Sequence, residues 1–320
     1  EYRVTFQSPK SLGISKRKRY LVGVSGGRDS IALLHWMRFG LGCNDLIVCH
    51  LNHSLRGSES GMDSRFVRNL ARSYDCQFEC DKENVLKLSK TQKISIEMAA
   101  RKARFNFFGQ VSSKWRCSRV VLAHHSDDNV ETILMNLFRG SGKLSGIKGK
   151  SLISTDSKKI TIYRPLLQVS GEEIDRYVKD NNLKYRADSS NAKNEYLRNK
   201  TRNKVIPFLN QMYERDISKT ILRASKLASI ESEFIDEILL GPEFSWALEI
   251  NLSVIKLRNT DKALQSRIIL NWLRRLSVSD IGTAEVDLVR TLLEKSGPAK
   301  INLPRGKYVR RRNKLIFLED

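Results

Sequence analysis

The sequence predicts an α/β fold: a doubly wound parallel sheet, followed by a smaller, mainly helical C-terminal domain that ends in short strands. Three patterns lead to this prediction. Short β-branched runs alternate with longer segments of helical period between residues 20 and 136. Long amphipathic patterns without intervening strands follow Pro207. The segment 299–318 alternates apolar and polar residues and is interrupted by turn-forming residues, as in short hairpins.

Four strand-length apolar runs are predicted to build the sheet, at 20–24, 46–52, 77–80 and 120–124. Helices are expected to begin near Ser30, Ser60, Ser95 and Asn129. A glycine-rich loop at 139–149, an extended segment at 160–166 and a helix at 170–181 follow. Because the carboxyl ends of parallel strands share one edge of the sheet, we expect ligands to bind at that edge.

The C-terminal part has helical patterns at 215–240, 261–276 and near 285–295. Its predicted hairpins turn at Pro304-Arg305-Gly306 and at Arg312-Asn313-Lys314. We therefore predict two domains, residues 1–214 and residues 215–320.

The charge balance points to a polyanionic partner, because 57 Lys and Arg outnumber 35 Asp and Glu and give a formal charge of +22. A basic surface without a partner is the alternative, and charge does not distinguish RNA from DNA. No apolar run approaches the roughly 20 residues that cross a bilayer, and no secretory signal is recognisable. The five cysteines form no Cys-x-x-Cys pair, which argues against a disulfide framework, an iron-sulfur cluster or a zinc ribbon. We expect a cytoplasmic protein with reduced thiols.

A glycine loop follows the first predicted strand and leads directly into a helical segment. Its residues are Ser25-Gly26-Gly27-Arg28-Asp29-Ser30. The two glycines let backbone N–H groups approach an anion, and the helix N-terminus adds partial positive charge. The serine hydroxyls can donate to phosphate oxygens, whereas the Asp29 carboxylate would repel phosphate and is predicted to hold Mg²⁺. The loop matches neither the Walker motif nor the dinucleotide-binding turn. A capped helix start without a ligand is the alternative.

Further polar motifs lie at the ends of the second and fourth predicted strands, on the helix between them and downstream. The motifs are His50-Leu51-Asn52-His53-Ser54-Leu55-Arg56, Glu97 with Arg101 and Arg104, His124-His125-Ser126-Asp127-Asp128-Asn129-Val130-Glu131, Arg164-Pro165-Leu166-Leu167, Asp188-Ser189-Ser190-Asn191, and Arg198 with Arg202. The histidine and carboxylate cluster could bind a metal, bind an ammonium group or remove its proton, although Asp127 and Asp128 could simply cap a helix. The arginines suit phosphate or RNA, with surface ion pairs as the alternative.

The glycine loop resembles that of the ATP-pyrophosphatase (PP-loop) superfamily. The ordered set of motifs resembles the tRNA(Ile)-lysidine synthetases, densely over residues 21–207 and more loosely at Leu303-Pro304-Arg305-Gly306. The chain length is typical of the short form of that family. Asn129 stands where a Gln is more usual. The family commonly carries an aromatic residue and a Pro around the Asp-x-Ser-Asn element, where this chain has Tyr185-Arg186-Ala187-Asp188-Ser189-Ser190-Asn191, and these departures put the detail of substrate contacts in doubt.

The resemblance implies an adenine-nucleotide α-hydrolase-like fold with a catalytic domain at 1–214 and a tRNA-binding domain at 215–320. It implies that ATP and Mg²⁺ are used to adenylate the carbon-2 oxygen of the wobble cytidine in tRNA(Ile) with a CAU anticodon. Free L-lysine then displaces AMP to form lysidine. Dimers are common in that family, and the sequence leaves the oligomeric state open.

Residue chemistry and the resemblance together assign the candidate site. The nucleotide-binding candidates are Ser25, Gly26, Gly27, Arg28, Asp29 and Ser30, with Asp29 also the candidate magnesium ligand. The catalytic candidates are Asp29, Arg104, His124, Asp127, Asp128 and Arg202. The substrate-binding candidates are His53, Arg56, Glu97, Arg101, Glu131 and Arg198.

Two other functions fit part of the pattern. A tRNA thiolation enzyme of the same superfamily usually needs paired cysteines, which this chain lacks at a suitable spacing. A catalytically inert RNA-binding protein with a vestigial loop would bind RNA without releasing pyrophosphate. Amidation of a small molecule would leave the basic charge unexplained, and the sequence shows no glutaminase domain to supply ammonia for it.

Overall fold

The computed structural model describes residues 9–53, 59–140, 144–186 and 197–319. The chain forms two compact units. Unit 1 comprises Glu1–Glu131 and Ile147–Pro207, and unit 2 comprises Thr132–Gly146 and Phe208–Asp320. The boundary at residue 214, with the roles given to its two sides, stays a prediction.

Unit 1 is built on a six-stranded sheet of order β3-β2-β1-β4-β6-β5. Its strands are β1 Tyr20–Gly23, β2 Leu46–Asn52, β3 Gln77–Lys82, β4 Arg119–Val121, β5 Lys150–Ser154 and β6 Lys159–Tyr163. All neighbouring strands pair in parallel except β5, which runs antiparallel to β6 at one edge. The predicted parallel sheet is confirmed, and the extended segment predicted at 160–166 contributes the strand β6 to it.

Helices occupy both faces of this sheet. Up to residue 212 the α-helices along the chain are α1 Pro9–Leu12, α2 Arg28–His35, α3 Glu59–Ser73, α4 Val85–Gln92, α5 Ile96–Lys114, α6 Ser126–Phe138, α7 Gly171–Asp180, α8 Leu197–Lys200 and α9 Ile206–Met212. Short π-helical segments follow α2 at Trp36–Gly40 and α8 at Thr201–Val205. The Ser95 side chain accepts the Met98 N–H at 3.2 Å and so caps α5. Ser170 and Glu173 form a capping box that starts α7.

The strands send alternate side chains to two separate cores. Tyr20 and Val22 of β1 pack with Ile31 of α2, together with residues of α3 and α7, on what we call the α2 face. Leu21 packs with Phe108 of α5 on the opposite side, the α5 face. Because side-chain direction alternates with a period of two, the same alternation decides which face each residue after a strand can reach.

Unit 2 combines helices with a four-stranded antiparallel sheet of order β7-β10-β9-β8. Its helices are α10 Ile217–Ile238, α11 Val254–Arg258, α12 Lys262–Arg275 and α13 Thr283–Thr291. Its strands are β7 Leu252–Ser253, β8 Lys300–Asn302, β9 Tyr308–Arg312 and β10 Leu315–Glu319. Trp272, Val309 and Ile316 lie in its core. The predicted helices and terminal hairpins are therefore present, and β7 is an additional strand.

Two further sequence predictions can be compared with the structure. None of the helices in the described ranges is both long and apolar enough to traverse a lipid bilayer. The five cysteines are free thiols, of which Cys43, Cys49 and Cys117 are buried and Cys80 is exposed.

Candidate active site

The glycine loop joins β1 to α2 at the carboxyl edge of the sheet. Gly26 has φ +96°, a conformation that L side chains rarely adopt, and Gly27 is the N-cap of α2. The Ser30 hydroxyl donates to the Gly27 carbonyl at 2.8 Å and accepts the Ser25 N–H at 3.2 Å. The loop is thus folded around its own serines at a helix N-terminus, where backbone dipoles favour an anion.

Arg28 and Asp29 begin the helix as a charged pair. The Arg28 Nε donates to Asp29 Oδ1 at 2.8 Å, and its Nη1 donates to Asp175 Oδ1 of α7 at 2.8 Å. The two carboxylates anchor the predicted nucleotide-binding arginine at the loop. The Asp29 side chain stays about one-third exposed, at 35%.

His125 lies on the α2 face beside this loop. Its Nε2 is 3.7 Å from Asp29 Oδ2 and 3.6 Å from Asp128 Oδ2, and its Nδ1 is 3.8 Å from Asp127 Oδ2. Burial disfavours the charged imidazole, but the three carboxylates outweigh burial and raise the pKa of His125. Burial also opposes ionisation of Asp127, but hydrogen bonding and the charge of His125 lower the pKa of Asp127 to about 2. The nucleotide side of the edge therefore carries a buried imidazole among carboxylates.

His124 lies on the opposite, α5 face. Leu122 packs in the α5-face core and Ala123 against the α2-face core, so the strand alternation continues to the two histidines. Burial, assisted by the charges of Arg164, Arg104 and Arg198, lowers the pKa of His124 to about 3 despite the opposing charge of Asp128. The sequence places the two histidines in one cluster, but His125 lies on the α2 face of the sheet and His124 on the α5 face.

Four charged side chains form a network between α6 and the segment made of α8 and the π-helix Thr201–Val205. Glu131 is fully buried, with Oε2 2.6 Å from Arg198 Nε and Oε1 2.5 Å from Arg202 Nε. Asp128 Oδ1 is 2.9 Å from Arg198 Nη2 and 3.2 Å from Arg202 Nη2. The other Asp128 oxygen accepts the His125 backbone N–H at 3.1 Å. Asp128 therefore caps α6, as the simpler interpretation of the sequence proposed, and also joins this network to His125.

Helix α5 adds the predicted arginines on the α5 face. Glu97, Arg101 and Arg104 are exposed on its first turns, and Arg101 lies over the Phe105 ring at 4.9 Å. The charges of Arg101 and Arg198 both act on Arg104. These arginines therefore lie within electrostatic reach of one another.

Arg164, which the sequence analysis assigned to no role, follows β6 on the same face. It is 4% exposed, and its Nη1 donates to the Lys148 carbonyl at 2.8 Å and to Ser151 Oγ at 2.9 Å. Burial, followed by the charge of Arg101, lowers its pKa to about 10. Arg164 has the same strand parity as Ile160 and Ile162, but its burial is evident only from the structure.

His53 follows β2 on this face as well. Burial and the charges of Arg104 and His50 lower its pKa to about 4. His50 lies deeper and its Nδ1 is 2.9 Å from the Val24 carbonyl. The candidate Arg56 and the motif 188–191 lie outside the described residues.

Two protein families match separate parts of the chain. The PP-loop domain family matches residues 3–209, nearly two thirds of the chain, including the glycine loop and all the motifs above. The chain belongs to the PP-loop family. Membership of the PP-loop family implies the use of ATP. The family described as the TilS substrate binding domain matches residues 252–316.

Curated relatives of this PP-loop chain include tRNA(Ile)-lysidine synthases. The protein from Clostridium tetani is 34% identical over 272 residues, which cover 82% of this chain and 56% of that protein. The protein from Bacillus subtilis is 33% identical over 303 residues, which cover 90% of this chain and 63% of that protein. The resemblance inferred from the motifs is thus confirmed, and the chain spans less than two thirds of the length of these relatives.

A solved structure supports the fold of the PP-loop chain. The U34-tRNA thiolase NcsA from Methanococcus maripaludis, determined with its [4Fe-4S] cluster, superposes with a TM-score of 0.52 at 20% identity. The match covers 68% of this chain and 74% of the thiolase. At this identity the likeness concerns the fold alone, and it agrees with the predicted doubly wound architecture.

Proposed function

We propose that this chain is a tRNA(Ile)-lysidine synthetase, a ligase that forms a carbon–nitrogen bond on the wobble cytidine of tRNA(Ile) with a CAU anticodon. The observation that carries the proposal is the two-sided edge of the unit 1 sheet. A phosphate-binding loop with His125 and Asp127 lies on the α2 face, and Asp128 joins His125 to an arginine and carboxylate network whose charges also act on His124 on the α5 face. Activation by ATP and attack by an amine need these two kinds of surroundings next to each other.

In the first step, the loop binds the ATP phosphates through its backbone N–H groups and the hydroxyls of Ser25 and Ser30. The carbon-2 oxygen of cytidine attacks the α-phosphorus, the α–β bridging bond breaks, and pyrophosphate leaves. The carboxylate neighbours of His125 raise its pKa, so protonation of this imidazole would place a positive charge near this centre. Adenylation converts a poor leaving oxygen into a good one and makes carbon-2 electrophilic.

Magnesium fits this site as an ion carried by the nucleotide. Among the described residues no group of three or more potential ligands could hold a metal. Mg²⁺ on ATP usually takes only one or two protein carboxylates and completes its shell with phosphate oxygens and water. Asp29, partly exposed at the start of α2, is the carboxylate we propose for it. When bound, the ion would offset the negative charge that develops on pyrophosphate.

In the second step, the ε-ammonium group of free L-lysine loses a proton to solvent and the resulting amine attacks carbon-2. The bond from carbon-2 to the AMP oxygen breaks, AMP leaves, and the proton released from the attacking nitrogen also passes to solvent. We propose Asp128 as the carboxylate that receives the lysine ammonium group, because its side chain is 16% exposed whereas Glu131 is fully buried. Arg198 and Arg202 already bond Asp128, so they hold its carboxylate in place.

The test is incorporation of radiolabelled lysine into an unmodified tRNA(Ile) transcript with a CAU anticodon. We expect incorporation that requires both ATP and Mg²⁺ and yields AMP and pyrophosphate. Release of ADP, or no incorporation, would contradict the proposal. Exchange of label between pyrophosphate and ATP separates a catalyst from an inert RNA-binding protein, and transfer of labelled sulfur instead of lysine would identify a thiolation enzyme.

The remaining assignments belong to the same proposal. Residues 1–214 would carry catalysis and residues 215–320 would bind tRNA, in a cytoplasmic enzyme. The basic charge of the chain and the substrate-binding family match at 252–316 support this division. A homodimer is expected from the resemblance, and sedimentation of the purified protein tests it.

A further inference from the structure

Three buried nitrogen atoms at the carboxyl edge of the unit 1 sheet have no hydrogen-bond partner among the described residues. They are His53 Nδ1, His124 Nδ1 and Arg164 Nε. A buried polar atom without a hydrogen-bond partner destabilises the fold, so proteins rarely leave one unless a ligand or water satisfies it. Three such atoms at one edge point to a ligand.

The three side chains project from the same face of the sheet. Each follows a different parallel strand, β2, β4 or β6, whose carboxyl ends meet at one edge. Leu51, Leu122 and Ile162, two residues before each of them, all belong to or pack against the α5-face core. The alternation of strand side chains therefore directs all three to the α5 face.

Arginines surround this position. Arg101 and Arg104 lie on the first turns of α5, and the charges of Arg104, Arg164 and Arg198 all act on His124. Arg198 is paired with Asp128 and Glu131. Within the described ranges, by contrast, no carboxylate forms an ion pair with Arg101, Arg104 or Arg164. Three guanidinium groups thus lie near one another without an ion-paired carboxylate among the described residues.

We propose that His53, Arg101, Arg104, His124 and Arg164 form a second oxyanion subsite, distinct from the glycine loop, that binds a phosphate group of the RNA substrate backbone. We call it the arginine subsite. Its nitrogens are all donors or can become donors, and guanidinium groups match phosphate oxygens in geometry and charge. The naming of RNA as the source rests on the proposed function, whereas the binding of an oxyanion does not.

The glycine loop cannot supply the same contact. Its helix and His125 lie on the α2 face, where Asp29, Asp127 and Asp175 provide negative charge. In the arginine subsite, by contrast, positively charged side chains predominate. The sheet edge thus offers one place for the ATP phosphates, where carboxylates are available for a metal ion, and another for a phosphate without a metal ion.

The test measures the binding of cytidine 5′-monophosphate and of cytidine to the full chain by calorimetry. The glycine loop is first saturated with α,β-methylene ATP, so that neither probe reports on it. We expect the monophosphate to bind at least about tenfold more tightly than cytidine. Equal binding of the two probes would overturn the proposal.

Variants locate the site. We expect Arg104→Gln and Arg164→Lys each to weaken monophosphate binding by about tenfold and to leave cytidine binding unchanged. Arg72→Gln, on the exposed last turn of α3, makes the same change in net charge as Arg104→Gln and should bind like the wild type. Arg104 is exposed, so its replacement leaves the fold intact, and the thermal melt of Arg164→Lys checks the buried position. Wild-type monophosphate affinity in both variants would refute the assignment.

Competition identifies the source of the oxyanion. Displacement of the monophosphate by inorganic phosphate at equal concentration would overturn the RNA backbone as the source and indicate a free phosphate site. Displacement by L-lysine would overturn phosphate in favour of a carboxylate. All these measurements need no turnover, so a failed lysine-incorporation assay with intact monophosphate binding would refute the proposed function and leave the subsite standing.

Discussion

Replacement of Glu131 by Gln tests the energetic role of the network that joins Asp128 and Glu131 to Arg198 and Arg202. The side chain is fully buried and accepts from two arginines, while its substitution keeps shape and removes the charge. Arg198 and Arg202 would then share only the Asp128 carboxylate. Breaking a fully buried ion pair costs about 3–5 kcal/mol. Because the two arginine side chains are 31% and 38% exposed, solvent screening reduces this cost, and we expect a loss of about 2–3 kcal/mol.

The assay is thermal unfolding followed by circular dichroism. At about 2–4 °C per kcal/mol for a unit of this size, Glu131→Gln should lower the melting temperature by about 4–12 °C. Glu97→Gln is the matched control, since Glu97 is exposed on α5, and it should shift the melting temperature by less than about 2 °C. If Glu131→Gln melts together with Glu97→Gln, the buried network does not stabilise unit 1 and the reasoning is refuted.

Three further predictions follow from the nucleotide side. Protonated His125 stabilises the fold below its ordinary pKa of 6.5, and this contribution is lost as pH rises through the raised folded-state pKa. The stability difference between wild type and His125→Gln should therefore be larger at pH 6 than at pH 9 in thermal melts, and a difference independent of pH would contradict this. Gly26→Ala should weaken the binding of α,β-methylene ATP, whereas Gly42→Ala, also at positive φ but remote from the loop, should leave calorimetric affinity unchanged. Asp29→Asn should reduce pyrophosphate–ATP exchange by about 10²–10³-fold, and undiminished exchange would remove Asp29 from the metal site.

The parallel sheet was predictable because its buried strands are short apolar runs separated by helical periodicity. Leu46–Asn52 has the predicted bounds, whereas β4 ends at Val121 instead of at residue 124. The strand β5 was not predicted, since Lys150–Ser154 is an exposed edge strand with a polar alternation that a loop can equally have. The local sequence therefore predicts buried strands better than it predicts strands that pair at the edge of a sheet.

The sequence predicted where the candidate site lies, but not which of its side chains contact one another. The glycine loop has the positive φ and helix start that its sequence requires. The pairing of Arg198 and Arg202 with Glu131 depends on residues about 70 positions apart, as the separations of 67 and 71 confirm, so no local pattern reveals it. Arg164 went unassigned because a single arginine after a strand has no distinctive neighbours in the sequence.

The basic hairpins of unit 2 illustrate the same limit. Arg311 belongs to a run of three arginines that the sequence marks only as basic. Its guanidinium instead donates to the carbonyls of Leu292 and Glu294, both at 2.7 Å, and so closes the end of α13. Arg310 and Arg312 point to the other side of β9, because residues alternate along the strand. Counting arginines therefore overstates the charge available to a polyanion.

His124 and His125 are neighbours in the sequence and lie on opposite faces of the sheet. The distance between the α2-face site and the α5-face site at this point is therefore set by one peptide unit. Their Cα atoms are about 3.8 Å apart, the fixed span of a trans peptide, so the spacing does not depend on how a loop packs. Deleting a single residue between Val121 and His124 would exchange the two imidazoles, placing one among arginines and the other among aspartates. The number of residues between Val121 and His124 thus determines which imidazole reaches which side of the sheet.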